Sequence, residues 1–451
     1  MKTALYTTAA IIALTAGSAQ AQLVIEPGSD DRINWASLDE FKAAHSDLEG
    51  QSFNILGPWL GGDQELFQSV IAYFNEATGA QANYSGSDSF EQQIVIDSEA
   101  GSPPDVAVFP QPGLASDLAE KGFLRPLGEE TAQWLTDNYA AGESWAALGT
   151  YAGPDGTEAL YAFPYKADVK SLVWYVPENF EDAGYEIPET YEDLKALTEQ
   201  IAEEGETPWC IGLGSGGATG WPATDWVEDL MLRTATPEDY DAWTTNAMPF
   251  NDPKVVAAID EFGWFAKNPD FVAGGVGSVS ATDFRESPAG LFDSPPACYL
   301  HRQASFITTF FPEGTVVGED ADFFYMPAPA SGDLGQPVLG GGTMFAVLSD
   351  NPAAMAFVEF LKTPVAHEIW MAQQGFVTPY TGANVEAYDD PTVRRMGQIL
   401  LDATVFRFDG SDLMPGAIGA GAFWTGMIDF VGGASAQDVA DKIQASWASL
   451  N

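Results

Sequence analysis

The chain of 451 residues is long enough for two or three ordinary domains. Hydrophobic residues make up 46% of it, which is typical of a globular protein and excludes a disordered chain. The 65 acidic and 18 basic residues give a formal net charge of −47 at pH 7, which disfavours nucleic acids and anionic membranes as partners because they repel a surface of that sign.

The first 21 residues have the pattern of a cleavable signal peptide. Lys2 supplies a positive charge, residues 4–16 are apolar, and residues 19–21 (AQA) form an A-x-A cleavage site before Gln22. The apolar run is shorter than the roughly 20 residues that span a bilayer. No Cys follows the cleavage site to carry a lipid anchor. We therefore expect cleavage after Ala21 and a freely diffusing periplasmic protein with no membrane insertion.

After an irregular lead-in over residues 22–50, strands and helices are expected to alternate. Short apolar runs predict strands at 53–56, 82–84, 105–109, 172–175, 210–213 and 344–348. Apolar residues spaced by three and four predict helices at 63–79, 89–101, 113–121, 190–201, from 225, and at 253–265, 351–363, 364–374, 391–403 and 435–449. This alternation is typical of α/β lobes with parallel sheets covered on both faces.

Two cysteines, Cys210 and Cys298, form an even pair in a chain that we expect in an oxidising compartment. A disulfide is the first interpretation, and two buried free thiols are the alternative. The three histidines stand far apart at positions 45, 301 and 367, so the sequence predicts no metal site. The glycines at 340–342 lack the Lys-Ser/Thr of a phosphate loop, and we expect no cofactor. The acids are scattered, which favours a solvated surface suited to a saline habitat.

Several motifs resemble one family and occur in the order in which that family has them. They are PPDVAV at 103–108, YAFPY at 161–165, GGGTMFAV at 340–347, AMAFVEFL at 354–361, GFVTP at 375–379 and LMPGAIGAGAFW at 413–424. Together they resemble the bacterial extracellular solute-binding proteins of ABC sugar importers over nearly all of residues 50–451. WCIGLG at 209–214, GWP at 220–222 and CYLHR at 298–302 look most like the α-glucoside-binding branch.

The resemblance implies a two-lobed α/β fold of the maltose-binding-protein type, in which each lobe is a sheet flanked by helices and the ligand cleft lies between them. One lobe is expected to take residues 22–163 and 304–342, and the other 164–303 and 343–451. The implied protein is a monomeric receptor, not an enzyme. It captures an α-glucoside or related oligosaccharide by hinge closure and delivers it to the permease of an ABC transporter.

A sugar has apolar C–H faces and a ring of hydroxyls, so its site needs flat aromatic rings together with polar and charged side chains. The first lobe offers candidates at the ends of its parallel strands, where ligands collect in such folds: Trp59, Asp63, Asp88 and Gln111. Next to the predicted crossing come Tyr165, Lys166 and Asp168, and the remaining candidates are Trp221, Arg302, Gly341, Thr343 and Trp424. Trp424 also matches the ligand-stacking Trp that the family presents before its last helix.

Each candidate also has a structural interpretation. The three tryptophans can serve packing alone, and Asp63 and Asp88 can be helix caps. Lys166 and Asp168 can form a solvated pair, Arg302 a structural ion pair, and the glycines at 340–342 a hinge turn. These alternatives stay open at the level of sequence.

Two other functions also stay open. The same fold can carry a polyamine, a peptide or ferric iron, although the few histidines disfavour iron. A secreted glycoside hydrolase needs only two suitably spaced carboxylates, and a chain with 65 acids always offers some such pair. The chain contains neither the G-x-S-x-G nor the H-E-x-x-H motif of other hydrolases.

Overall fold

The computed structural model describes residues 23–140 and 142–450. The predicted signal peptide, residues 1–21, lies outside the described residues. The strands are Ser52–Gly57 (β1), Gln81–Gly86 (β2), Val106–Phe109 (β3), Thr150–Ala152 (β4), Glu158–Leu160 (β5), Ala162–Val169 (β6), Leu172–Tyr175 (β7), His301–Arg302 (β8), Asp322–Tyr325 (β9), Pro337–Val347 (β10) and Val405–Phe408 (β11).

The α-helices surround these strands. They are Trp35–Ala44 (α1), Gly62–Thr78 (α2), Phe90–Glu99 (α3), Pro112–Glu120 (α4), Glu129–Asn138 (α5), Gly142–Leu148 (α6), Pro177–Ala183 (α7), Tyr191–Glu203 (α8), Trp221–Thr234 (α9), Pro237–Thr244 (α10), Pro253–Ala266 (α11), Val276–Val279 (α12), Pro352–Leu361 (α13), Pro364–Met371 (α14), Pro391–Asp402 (α15), Gly410–Leu413 (α16), Trp424–Val431 (α17) and Ala436–Ala448 (α18). Across the described residues, none of the helices has the length and apolar character needed to cross a membrane.

Capping residues explain where several of these helices begin. Thr190 and Asp193 form the capping box that the sequence predicts for α8. The Asp252 carboxylate accepts the backbone N–H of Lys254 at the start of α11, which Pro253 opens. Local side-chain chemistry is therefore enough to fix these boundaries.

Three expectations about local structure were wrong. The lead-in is not wholly irregular, because Leu38 and Phe41 of α1 are buried against the first core. Residues 210–213 form no strand, since this segment is held by isolated bridges at Trp209 and Gly214. Helix α9 begins at Trp221 and not at Asp225, because Pro222 suits a first helical turn.

The main sheet is mixed rather than wholly parallel. Strands β2, β1 and β3 are parallel neighbours, as predicted from the alternation of strands and helices. The long strand β10 runs antiparallel to β3 and to β6, and parallel to β11. A second, three-stranded antiparallel sheet has the order β8-β7-β9. The sequence could not show this mixture, because the direction of a strand depends on where its connection leads.

Two main hydrophobic cores define the two lobes. The first contains side chains between residues 33 and 167, and again between 344 and 387. The second contains side chains between residues 173 and 339, and again between 414 and 447. The chain passes from the first core to the second along β6 and returns along β10, where Leu339 lies in the second core and Met344 in the first.

The direction of this return changes the assignment of two segments. Helices α13 and α14, expected in the second lobe, pack in the first core through Phe357 and Trp370. Strand β9, expected in the first lobe, pairs with β7 in the second sheet. The physical reason is that β10 returns the chain to the first lobe instead of leaving it. Elsewhere the lobe boundaries stay predictions.

Candidate functional site

A cavity of about 920 Å³, its open mouth included, lies between the lobes. The first lobe lines it with the segments that follow β1, β2 and β3, at the carboxyl ends of the parallel strands. The second lobe contributes α9, α16 and the start of α17, and the crossing strands β6 and β10 form part of the wall. Both lobes therefore supply the surface that a bound molecule would contact.

Most of the predicted site residues line this cavity. They are Trp59, Asp63, Asp88, Gln111, Lys166, Asp168, Trp221, Thr343 and Trp424. Asp63 lies inside α2, whose N-cap is Gly61, and Asp88 precedes the N-cap Ser89 of α3, so neither aspartate occupies the N-cap position. The contact of these residues with a ligand stays a prediction.

The predicted residues Tyr165, Arg302 and Gly341 do not line the cavity. Tyr165 points to the opposite face of β6 from Lys166, is fully buried, and donates its hydroxyl proton to the Ala366 carbonyl. Arg302 lies behind the wall and forms an ion pair with Asp229 at 3.1 Å. A Cβ on Gly341 would come within 2.7 Å of Lys170 Cε, so this glycine makes room for a lysine side chain.

One side of the cavity is an aromatic wall formed by Trp221, Phe284, Phe306 and Phe310. The ring centroids of Trp221 and Phe284 lie 4.9 Å apart at 73°, and those of Phe284 and Phe310 lie 5.7 Å apart at 79°. The Lys166 ammonium lies 5.5 Å from the Phe306 ring centroid. Rings held in this way offer flat apolar faces to a ligand.

The cavity floor contains a buried charge network centred on Lys170. Its ammonium donates to Asp225 at 3.0 Å and also to Asp409. Asp225 forms a further ion pair, at 3.7 Å, with Arg302. Carboxylate oxygens of Asp225, Glu228 and Asp409 lie within 4.8 Å of one another, close enough for a metal ion, but the Lys170 ammonium already supplies positive charge to two of them.

Burial raises the pKa of several carboxyl groups in the cavity and behind its wall. It raises the pKa of Asp63 to about 7 against the opposing effect of Lys166, and it raises the pKa of Glu91. Burial likewise raises the pKa of Glu228 and Asp412 well above the usual range. Protonated carboxyls can both donate and accept hydrogen bonds, which suits a hydroxyl-bearing ligand.

Several residues that line the cavity carry buried polar atoms with no hydrogen-bond partner among the described residues. They are Asp63 Oδ1, Gln111 Oε1, Thr343 Oγ1 and Trp424 Nε1. A buried polar atom without a partner costs about 1–3 kcal/mol. In the cavity these atoms are available to form hydrogen bonds with a polar ligand.

Several residues that line the cavity were not predicted from the sequence. Lys170 follows Lys166 and Asp168 at a spacing of two, directly after β6 ends, and this spacing was a usable signal. Asp225 follows Trp221 by one helical turn, so the two share a helix face. Glu91, Phe284, Arg285, Phe306, Phe310, Asp409, Ser411 and Asp412 also line the cavity, and their segments carry no comparable pattern.

Two lobes joined by crossing strands, with a polar and aromatic cavity between them, define a solute receptor of the maltose-binding-protein type. Residues 58–368 match the family described as bacterial extracellular solute-binding protein. The chain belongs to this family.

The relatives extend the match to the whole chain. The chain is 66% identical to the alpha-glucosides-binding periplasmic protein AglE of Rhizobium meliloti (strain 1021), over 100% of both chains. It is 42% identical to the osmoprotective compounds-binding protein GgtB of Synechocystis sp., over 89% of this chain and 94% of that relative.

Solved structures support the fold. A solute receptor, AcbH, described as preferring β-D-galactopyranose, is similar with a TM-score of 0.75 at 16% identity, covering 89% of this chain and 99% of that chain. T. maritima MalE3 with bound maltose has a TM-score of 0.68 at 14% identity, covering 89% of this chain and 100% of that chain. At such identities the likeness concerns the fold alone.

Proposed function

We propose that the protein is the periplasmic receptor of an ABC transporter. It captures an α-glucoside in the cleft between its lobes and delivers it to the membrane permease. The observation that carries the proposal is the cavity itself, where an aromatic wall and buried polar atoms without protein partners come from both lobes. The 66% identity to an α-glucoside-binding periplasmic protein supports the same ligand class.

The ion pairs of the cavity favour an uncharged ligand over an anionic one. Three cationic side chains line the cavity, and each has a carboxylate partner: Lys166 pairs with Asp168, Lys170 with Asp225 and Asp409, and Arg285 with Asp283. Burial raises the pKa of the cavity carboxyls Asp63, Glu91 and Asp412, and because the pKa of Asp63 rises to about 7, its negative charge is reduced near neutral pH. A neutral sugar fits this balance better than a sugar phosphate or a uronic acid, which would need a free cation.

Capture requires the two lobes to move together around the ligand. Because ligand-facing groups come from both lobes, a bound sugar stabilises the closed arrangement relative to an open one. The crossing strands β6 and β10 are the segments about which such a movement would turn. Delivery follows when the permease recognises the closed form.

A thermal-shift panel tests the ligand class. A ligand that binds only the folded protein stabilises it by about 2.7 kcal/mol at 100 times its Kd. We expect maltose, sucrose, trehalose or a related α-glucoside to raise Tm, and spermidine and short peptides to leave it unchanged. A shift with spermidine and none with sugars would replace the proposal by a polyamine receptor, which the excess of acids over bases around the cavity also allows.

The same samples test the absence of catalysis and the closure. A chromogenic α-glucoside that binds should be recovered intact, since a receptor releases its ligand unchanged. Small-angle scattering should show a smaller radius of gyration with the bound sugar than without it. Release of the chromophore would favour the hydrolase alternative, and an unchanged radius would contradict the closure.

A further inference from the structure

At the rim of the cavity the two lobes touch directly. The 3₁₀ turn Gly216–Ala218 of the second lobe lies against the N-terminal end of α3 from the first lobe. Gln92 Nε2 donates a hydrogen bond of 3.3 Å to the Gly217 carbonyl oxygen across this contact. Asp88 and Ala218 line the cavity beside it. The contact therefore connects the lobes at the edge of the site and forms no part of either core.

The approach is so close that a side chain on either glycine of the turn would displace side chains at the N-terminal end of α3. A Cβ on Gly217 would lie 2.7 Å from Ser89 Oγ and 2.8 Å from Gln92 Oε1. A Cβ on Gly216 would lie 2.3 Å from Asp88 Oδ2. Gly216 also has a φ of 55°, a left-handed conformation that favours glycine for its backbone alone. Gly217 has no such constraint, so a side chain there would be opposed by the contact across the cleft, where Ser89 and Gln92 would have to shift.

We propose that Gly217 is a positioning residue for capture. Because it has no side chain, the N-terminal end of α3 can lie directly against the turn Gly216–Ala218. This contact, which we call the seat, sets the ligand affinity from outside the cavity. The inference rests on the proposed capture by closure. If only a fraction of the protein can reach the closed state, the apparent Kd is the intrinsic Kd divided by that fraction. A side chain at position 217 acts as a wedge that lowers the closed fraction without touching the sugar.

Neither core packing nor the hydrogen bond alone explains the contact between Gly217 and Gln92. Gly217 and Gln92 are both exposed, so neither is needed for a core. A single solvent-exposed hydrogen bond contributes little to stability, since water competes for both partners. What matters for capture is the close approach of the two lobes, which the glycine permits. The hydrogen bond serves to align the turn with α3.

The test compares Gly217→Val with Gly277→Ala. Gly277 lies in α12 of the same lobe, and a Cβ there meets nothing within 4 Å. For the sugar that gives the largest thermal shift with the wild type, we expect Gly217→Val to weaken binding at least tenfold, mainly through faster dissociation. Gly277→Ala should bind as the wild type does. The Tm without sugar should be the same for the Gly217→Val variant and the wild type, because the wedge acts only on the closed state.

Complementation separates a wedge from a folding defect. Adding Ser89→Gly and Gln92→Ala to Gly217→Val removes the atoms that the valine meets, and we expect at least half of the lost affinity, on a logarithmic scale, to return. Scattering of the Gly217→Val variant with saturating sugar should show a larger radius than the wild type with sugar. Equal affinity of Gly217→Val and wild type overturns the inference, as does a loss that the two added substitutions fail to relieve. A wild type that binds no sugar overturns the proposed function itself.

Discussion

Trp424 combines an aromatic ring with a polar atom that finds no partner among the described residues. Its side chain is 3% exposed, it lines the cavity, and its Nε1 donates no hydrogen bond there. We expect Trp424→Phe to weaken sugar binding by about 1–2 kcal/mol through loss of one hydrogen bond. Trp424→Ala should cost about 2 kcal/mol or more, in the range of aromatic hot spots.

Trp447 provides a matched control for this prediction. It is also a buried tryptophan whose Nε1 has no partner in the described chain, but it lies in the last helix, away from the cavity. Isothermal titration should show that Trp447→Phe keeps the wild-type Kd. If Trp424→Phe and Trp424→Ala both bind like the wild type, Trp424 has only a packing role.

For single residues, the sequence predicted the segments that line the cavity better than it predicted the individual side chains that face the cavity. Trp59 and Gln111 were found because they follow strands at the edge of the sheet, and Trp221 because it is a large aromatic residue between a glycine and a proline. Tyr165 was wrongly expected in the cavity. Neighbouring residues on a strand point to opposite faces, and the sequence did not show which face of β6 points into the cavity. Asp409 was missed because its partner, Lys170, lies 239 residues away in the chain.

The Lys170 ammonium stabilises the folded protein by neutralising buried carboxylates. Burial would raise the pKa of Asp409, but the neighbouring Lys170 lowers it to about 2, so Asp409 is ionised in the folded protein. Removing the lysine leaves this charge buried and unpaired, and we expect Lys170→Met to lower the free energy of unfolding by about 3–5 kcal/mol. Urea denaturation at pH 7 measures the change.

An exposed ion pair is the control for this loss. Lys442 donates to Asp429 at 3.1 Å, and more than half of each side chain is exposed, so Lys442→Met should change stability by less than about 1 kcal/mol. The double variant Lys170→Met with Asp409→Asn should be more stable than Lys170→Met alone, because it removes the unpaired charge. Equal losses for Lys170→Met and Lys442→Met would contradict the role of the buried network.

At the scale of elements, local patterns predicted helices better than strand connections. The expected helices at 63–79 and 253–265 are α2 and α11, within a few residues at each end. Their apolar spacing and caps are local properties. The antiparallel pairing of β10 with β3 joins residues more than 230 positions apart, and nothing near β10 in the sequence specifies its partner. The direction of β10 in turn explains why α13 and α14 were expected in the wrong lobe.

The disulfide fixes two loop-rich segments of the second lobe, as the sequence predicted. Cys210 and Cys298 are bonded with a Cα–Cα distance of 5.6 Å, and the bridge closes a loop over a sequence separation of 88. Such a bridge stabilises mainly by restricting the unfolded chain. We expect the double variant Cys210→Ala with Cys298→Ala to lose about 2–5 kcal/mol of unfolding free energy in urea titrations.

The disulfide bridge is buried in the folded protein. Cys210 and Cys298 are almost inaccessible to solvent, and Gly290 packs against both sulfur atoms. Dithiothreitol should therefore leave the stability of the native protein unchanged over a short incubation. It should lower the urea midpoint only when it reduces the bridge in the unfolded protein. A double variant with the midpoint of the oxidised wild type would show that the bridge contributes nothing.

At the scale of the whole molecule, the net charge of −47 opposes the compact state. The Debye length falls from about 30 Å at 0.01 M salt to about 3 Å at 1 M, so salt removes most of the repulsion between exposed carboxylates. We expect Tm to rise by several degrees between 0.01 M and 1 M NaCl, and by the same amount in KCl because screening does not depend on the cation. About 1 kcal/mol corresponds to roughly 2–4 °C in a domain of this size class.

A variant with fewer surface acids distinguishes charge repulsion from other effects of salt. The segment around α7 carries exposed acids with few basic neighbours, and the substitutions are Glu178→Gln, Glu181→Gln, Asp182→Asn, Glu186→Gln and Glu189→Gln. Since this variant starts with less repulsion, its Tm at 0.01 M NaCl should exceed that of the wild type, and the two values should converge at 1 M. Parallel salt curves for variant and wild type would mean that salt acts through apolar burial, which strengthens in both proteins alike. Convergence would instead identify the acidic surface as an adaptation that reaches full stability only where salt is abundant.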